Sequence, residues 1–240
     1  MSKTSFGKSF KTRIPTWLAI AVLVLAIGAV ALWKPEACGY VLSRCLSRFS
    51  GKSVEERVEA IAAAKPWISE AANRMQGGLT ILVFKNERIV ELLNNGWDAP
   101  LIYKMTNSSG KLGPKLREGD GQIPEGVYGV EYLNPNSAFH LSLKISYPNA
   151  TDRRHAREDG RDDLGGDIMI HGGSATIGCI PIGDDAIEEV FFFAAKAGLK
   201  NVSVVIAPYD MRDGRKAELE QSPLPWYGAL CDEIAAALEK

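Results

Sequence analysis

From residue 79 onward the chain is written in short β-branched and aromatic runs cut by glycine and proline, which restricts this part of it to a β-rich domain. Residues 79–84 and 88–93 flank Lys85, Asn86 and Glu87 and predict a hairpin. Residues 101–106, 126–133, 139–146 and 202–206 continue the series, and residues 167–170 add a short buried strand. The Gly119-Asp120-Gly121 and Pro124-Glu125-Gly126 stretches supply turns. Helical spacing returns at Ile187, Val190, Phe191, Ala194 and Ala195, with Asp185 and Glu188 spaced as a capping box and Gly198 suited to the stop. A last apolar-periodic helix follows Leu224-Pro225-Trp226. The expected fold class is α+β, mainly β with short helices. Its domain covers residues 79–208, and residues 209–240 form a helical tail packed on it.

Ahead of this domain the chain changes character. Residues 1–13 carry Lys3, Lys8, Lys11 and Arg13, and residues 14–33 are an uncharged apolar run bordered by Trp17 and Trp33. The run is close to the ~20 residues that span a bilayer, and the basic flank is expected to stay cytoplasmic. We read it as a transmembrane anchor. A signal peptide cleaved near Ala29-Val30-Ala31 is the alternative, although the run exceeds the usual apolar segment of ~7–15 residues. Residues 34–78 read as a juxtamembrane helical spacer: Ser53 and Glu56 form a capping box, Val54, Val58, Ile61 and Ala62 a stripe ending near Pro66, and a second helix covers residues 68–75. Beyond the membrane, Cys38 and Cys45 are close enough in sequence for a disulfide, or they are buried thiols; Cys231 has no assigned role.

The stretch D-I-M-I-H-G-G-S-A-T-I-G-C-I-P-I-G-D-D, residues 167–185, concentrates the candidate chemistry. It places His171 at the end of a strand and returns Cys179 within a short glycine-rich loop. A thiol is mostly protonated at neutral pH, and a neighbouring imidazole that accepts its proton makes a nucleophile. Gly172, Gly173 and Gly178 permit close backbone approach, so the Gly178 and Cys179 N–H groups are expected to form an oxyanion hole, with Thr176 and Gly172 supporting the loop. The alternative is structural: a histidine ending a strand and a cysteine packed as a small hydrophobe.

The pattern His171-Gly172, a short spacer, then Thr176-x-Gly178-Cys179 resembles the signature of the L,D-transpeptidase (YkuD-type) catalytic domain. G-P-K-L-R-E-G-D-G-Q-I-P-E-G-V-Y over residues 113–128, N-P-N-S-A-F-H-L-S-L over 134–143 and Y-P-N-A-T-D-R over 147–153 are similar to blocks of its YafK-like branch. The resemblance covers about residues 79–208. Ile177 stands where the common signature has a second histidine, and Pro181 and Ile182 stand where an Arg or Asn is usual. The resemblance implies a β-sandwich or barrel domain with Cys179 as nucleophile and His171 as base and proton donor. It implies peptidoglycan stem peptides as substrate, acyl transfer through a Cys thioester, a wall-linked protein as a further partner, and an inner-membrane anchor holding the domain in the periplasm. A hydrolase of the same class, a carboxypeptidase or cross-link-cleaving amidase, is the alternative; a non-catalytic wall-binding module is another. His140, in the strand over residues 139–146, is expected by the resemblance to face the site, or else to be a satisfied structural histidine; Tyr147 and Arg153 are expected to face substrate from a long polar loop over residues 147–166, whose His155 is exposed.

Several classes are disfavoured by what the chain lacks. Net charge is −1 with a pI near 6.3, and no basic stripe follows the first few residues, so no nucleic-acid partner is expected. No Gly-Lys-Ser/Thr follows the glycines, and there is no Cys-x-x-Cys. A zinc site of His171, Cys179 and Asp167 matches no familiar ligand spacing. No metal and no cofactor is expected.

Overall fold

Strand β1 (Leu79–Phe84) is apolar along almost its whole length because both of its faces are covered. Ile81 and Val83 point into one core, Leu82 and Phe84 into another on the opposite side. The chain is seen here in a computed structural model that describes residues 51–214 and 224–239. The expected anchor over residues 14–33, with Cys38 and Cys45, lies outside the described residues. Among the described residues, no helix is long and apolar enough to cross a membrane.

β1 turns back antiparallel into β2 (Ile89–Leu93), which pairs with β3 (Leu101–Lys104). On its other side β1 runs parallel to β8 (Val202–Ala207). Strand β4 (Gly126–Ser137) joins the two halves of the sheet. Residues Gly126 to Gly129 pair with β8, and from Val130 the strand pairs with β5 (His140–Ile145), with register shifts that bend it. β6 (Met169–His171) then lies antiparallel to β5, and the two-residue β7 (Ile180–Pro181) lies parallel to β6. The order is β3-β2-β1-β8-β4-β5-β6-β7, a single open sheet of eight strands. With five helices beside it among the described residues, the sheet fits the expected α+β class; it curls as half a barrel, and helices take the place of the second sheet of a sandwich.

Helix α4 (Asp184–Ala197) covers one face with Ile187, Val190, Phe191, Phe192, Phe193 and Ala194, all fully buried. Its expected capping box is not formed. The N-cap is Gly183, without a side-chain cap, and Asp184 and Asp185 sit in the first turn, where negative charge favours a helix. Helix α5 (Tyr227–Leu238) covers the opposite face of β1 and β8 with Tyr227, Leu230 and Ile234.

Helices α1 (Val54–Ala64) and α2 (Pro66–Asn73) fall within the expected spacer. The Ser53–Glu56 capping box is present, the Glu56 N–H donating to Ser53 Oγ at 3.1 Å and the Ser53 N–H to Glu56 Oε2 at 2.7 Å. Yet Ile61, Ile68 and Ala71 are buried in the same core as α4, and Lys65 pairs with Glu188 and Glu189 at 3.2 Å each. These helices are part of the body of the domain.

The long loop over residues 147–166 also differs from expectation. It contains α3 (Ala150–Glu158), started by a reciprocal Asn149–Asp152 capping box. Its His155 is buried, with the ring stacked 4.1 Å from that of Trp226.

If α1 and α2 are core elements, Ile68→Ala should lower the unfolding free energy of the purified protein in urea by about 2–5 kcal/mol. A change within about 0.5 kcal/mol, as for a surface position, would restore the spacer reading.

Candidate active site

The histidine and the cysteine are brought together by the shortest pairing in the sheet. Ile170 lies opposite Ile180 and His171 opposite Pro181, in parallel register. Continuing that register, Cys179 falls opposite Met169, on the same face as His171, with Cα atoms roughly 8 Å apart from strand rise and spacing. The Ile182 N–H donates to the His171 carbonyl at 2.9 Å and the Gly172 N–H to the Leu141 carbonyl at 3.2 Å, which holds the strand end on both sides.

His171 is only 2% exposed. Its Nδ1 lies 2.6 Å from the Gly172 carbonyl oxygen. A carbonyl oxygen can only accept, so Nδ1 carries the proton and Nε2 presents a lone pair, the tautomer a base needs. The ring packs against Phe139, centroids 4.6 Å apart. Burial pushes the imidazole pKa below its ordinary value, partly opposed by the Gly172 carbonyl. Cys179 is half-buried, and its thiol donates to the Asp167 carbonyl at 3.7 Å. Burial pushes the thiol up; an N–H from Met169 and the charge of Lys115 oppose this, and the Asp167 charge adds to it. The pair is therefore neutral at rest.

The loop between them is clamped. The Thr176 hydroxyl donates to the Cys179 carbonyl at 2.7 Å and accepts the Gly178 N–H at 3.2 Å. The Gly178 N–H is thus engaged by Thr176, a correction to its expected place in an oxyanion hole. Gly172 lets the loop pack closely by its lack of a side chain: a Cβ there would lie 2.5 Å from Asp184 Oδ1 and 2.6 Å from the Phe139 carbonyl oxygen. Asp184, at the start of α4, accepts the Gly173 N–H at 2.8 Å. Asp167, just before β6, has φ 53°, a left-handed conformation that aspartate tolerates better than most residues.

The three residues expected to face substrate have other partners. His140 turns to α4, its Nε2 2.9 Å from Glu188 Oε1, and the neighbouring Phe139 is the residue that reaches His171. Tyr147 is buried, and its hydroxyl donates to the Leu164 carbonyl at 3.0 Å. Arg153 donates to the Pro148 and Asn149 carbonyls ahead of its own helix. Ile177, where the common signature has a second histidine, is 86% exposed and projects into solvent.

A neighbouring segment, residues 113–125, reads from the sequence as turns and as part of a block similar to the YafK-like branch, with no structural partner assigned to it. It is fixed from beneath by a buried ion pair: Lys85 Nζ donates to Glu125 Oε1 at 2.7 Å and to the Gly113 and Ile123 carbonyls at 2.7 and 2.9 Å. The Tyr227 hydroxyl of α5 donates to Glu125 Oε2 at 2.6 Å. Burial lowers the Lys85 pKa against the opposing charge of Glu125. The Gln122 carbonyl from this segment lies against Gly178, 3.0 Å from where a Cβ would sit. The glycine spacing gave no sign of that contact.

An NMR titration of the His171 ring should give a midpoint below the ordinary ~6.5 with the Nδ1-protonated tautomer. The folded state prefers the neutral ring, so His171 adds nothing to stability above that pH. As pH falls from about 6.5 toward the folded midpoint it costs stability, because the unfolded chain binds the proton first. A midpoint at or above the ordinary value would contradict the buried site.

Comparison with known proteins gives this geometry a family. The profile of the YkuD family, described as the L,D-transpeptidase catalytic domain, matches residues 79–206. The chain is 36% identical over 161 residues to the YafK protein of Escherichia coli strain K12, whose own name gives its L,D-transpeptidase assignment provisionally. That match spans 63% of this chain and 63% of the relative's length. Among solved structures, the helical cell shape determining protein Pgp2 from Campylobacter jejuni aligns at 26% identity and TM-score 0.43, over 60% of this chain and 55% of that one. Bd1075 from Bdellovibrio bacteriovorus aligns at 21% identity and TM-score 0.41, over 55% and 49%. On the profile match, which covers the sheet up to Ile206 and both candidate catalytic residues, the chain belongs to the YkuD family of L,D-transpeptidase catalytic domains.

Proposed function

We propose that this protein is a peptidoglycan-modifying cysteine acyltransferase in which Cys179 attacks the amide between an L-centre and a D-residue of a stem peptide. The observation that carries the reading is the buried His171 ring, its Nδ1 held by the Gly172 carbonyl so that Nε2 is left to accept a proton, on the sheet face that the β6–β7 register gives to Cys179. The thiol turns from the Asp167 carbonyl toward Nε2 and gives up its proton as sulfur bonds to the carbonyl carbon. The tetrahedral oxyanion is met by the Cys179 N–H. The C–N bond then breaks, His171 returns the proton to the leaving amine, and a thioester remains on Cys179.

An acceptor amine resolves the thioester in the transferase reaction, whether it comes from a second stem peptide or from a wall-linked protein. Water resolves it in the hydrolase alternative. Transfer is the favoured outcome, with acceptor choice set by the segment over residues 113–128 and the face around α3. The apolar run over residues 14–33 supports an inner-membrane anchor that keeps the domain in the periplasm, where such a substrate lies.

Incubating the purified protein with stem peptides and an excess D-amino acid or diamino-acid peptide, then measuring product masses, should give an exchange product. Only water-derived tripeptide ends or freed cross-links, at every acceptor concentration, would make it a hydrolase. Cys179→Ala should abolish both products, and His171→Ala should slow them by ~10²- to 10⁴-fold. Turnover surviving Cys179→Ala would remove the thioester mechanism altogether.

A further inference from the structure

Resting on the reading of Cys179 as nucleophile, the next question is what favours an anionic sulfur there. The site works against it. The thiol is half-buried, the His171 ring is buried and neutral at rest, and the Asp167 carboxylate before β6 adds negative charge nearby. Asp167 is exposed and partly offset by Lys144, 3.7 Å away, which also pairs with Glu131 at 2.8 Å. The positions shortly after Cys179, Pro181 and Ile182, carry no charge.

The neighbouring segment that packs against Gly178 holds a buried cation. The Lys115 side chain is only 4% exposed. Its ammonium donates to Asp120 Oδ1 at 2.7 Å and to the Arg117 carbonyl at 2.9 Å. Asp120 gathers the rest of the turn: Oδ1 also accepts the Gln122 N–H at 3.0 Å, and Oδ2 accepts the Leu116 and Arg117 N–H groups at 2.9 and 3.0 Å. Burial pushes the Asp120 carboxyl up, but Lys115 and these N–H groups together hold it below its ordinary value. Gln122 then carries the connection to Gly178 through its carbonyl. Lys115 and Gln122 are thus joined through Asp120, and the Gln122 backbone lies against the residue before the nucleophile. The Lys115 charge lowers the Cys179 thiol against the burial that raises it.

We propose that Lys115 is an electrostatic positioning residue: held by Asp120 beneath the Cys179 loop, its buried ammonium favours the anionic sulfur and the negative charge that develops during acyl transfer. Burying a lysine is costly unless its charge is paired. Asp120 meets that cost while the acceptor-saturated carboxylate fixes the ammonium in place. Charge acts over a longer range than contact, so Lys115 needs no hydrogen bond to sulfur to do this.

The test follows the rate of Cys179 alkylation by iodoacetamide against pH, read by peptide mass mapping, in the full chain and its variants. Lys115→Gln keeps a polar N–H donor on a side chain one bond shorter but drops the charge. Its profile should move to higher pH, with alkylation at a fixed pH below the midpoint slowed by roughly threefold or more; Lys115→Arg should restore it. An unmoved Lys115→Gln profile would overturn the proposal. Should Lys115→Gln lose the fold, as judged by its melting curve, Lys115→Met serves in its place, with the same upward move expected, and an unmoved profile would equally overturn the proposal. The readout is ionisation of the thiol, independent of turnover. A shifted profile in a protein inert toward stem peptides would sink the proposed reaction and leave the role of Lys115 standing, and an active protein with an unshifted profile would do the reverse.

Discussion

Two pairs of residues, Ile170 with Ile180 and His171 with Pro181, hold the candidate site together. Neither β6 nor β7 is long enough to be stable alone, so their pairing depends on what surrounds it. Ile170 and Ile180 are fully buried in the main core, β5 covers the other edge of β6, and α4 starts immediately after β7 and returns Asp184 to the glycine turn. The nucleophile and its base are thus fixed by core packing. The loop between them needs only to be held in shape, which Thr176 does from within and Gly172 does by having no side chain.

The electrostatics follow from the same burial. Removing His171 and Cys179 from water favours the neutral form of each, so proton transfer between them must be helped when substrate arrives. The Gly172 carbonyl helps by keeping Nδ1 protonated and supporting positive charge on the ring. On the sulfur side, the segment over residues 113–125 is made rigid by two buried ion pairs, Lys85–Glu125 and Lys115–Asp120, each supplemented by backbone partners. Breaking such a pair by removing one member typically costs about 3–5 kcal/mol. That rigidity allows a charge in this segment to act on the thiol from a fixed place.

Much of this was legible in the sequence. Strands with strong β-branched character, the hairpin at Lys85, the Ser53 cap and the Gly198 stop announce themselves through local propensity. His171 and Cys179 stood out because of their glycine frame. What the sequence hid were features made by partners distant along the chain. α3 has a cap but almost no apolar stripe, since A-T-D-R-R-H-A-R-E buries only His155 and Ala156, so it read as a loop. The resemblance placed His140 facing the site, and nothing in its own strand points to Glu188, 48 residues away. β7 is too short to carry a period, and the role of Asp120 depends on three backbone N–H groups that no side-chain pattern encodes.

The account turns on a covalent bond to one sulfur. Intact-mass analysis of the full chain, quenched during incubation with a tetrapeptide stem, tests it most directly. We expect an added mass equal to the tripeptide acyl group, mapped to Cys179, removed by hydroxylamine and missing from Cys179→Ala. Product formed with no adduct at any time point while Cys179→Ala still turns over, or an adduct mapped to Cys231, would contradict it.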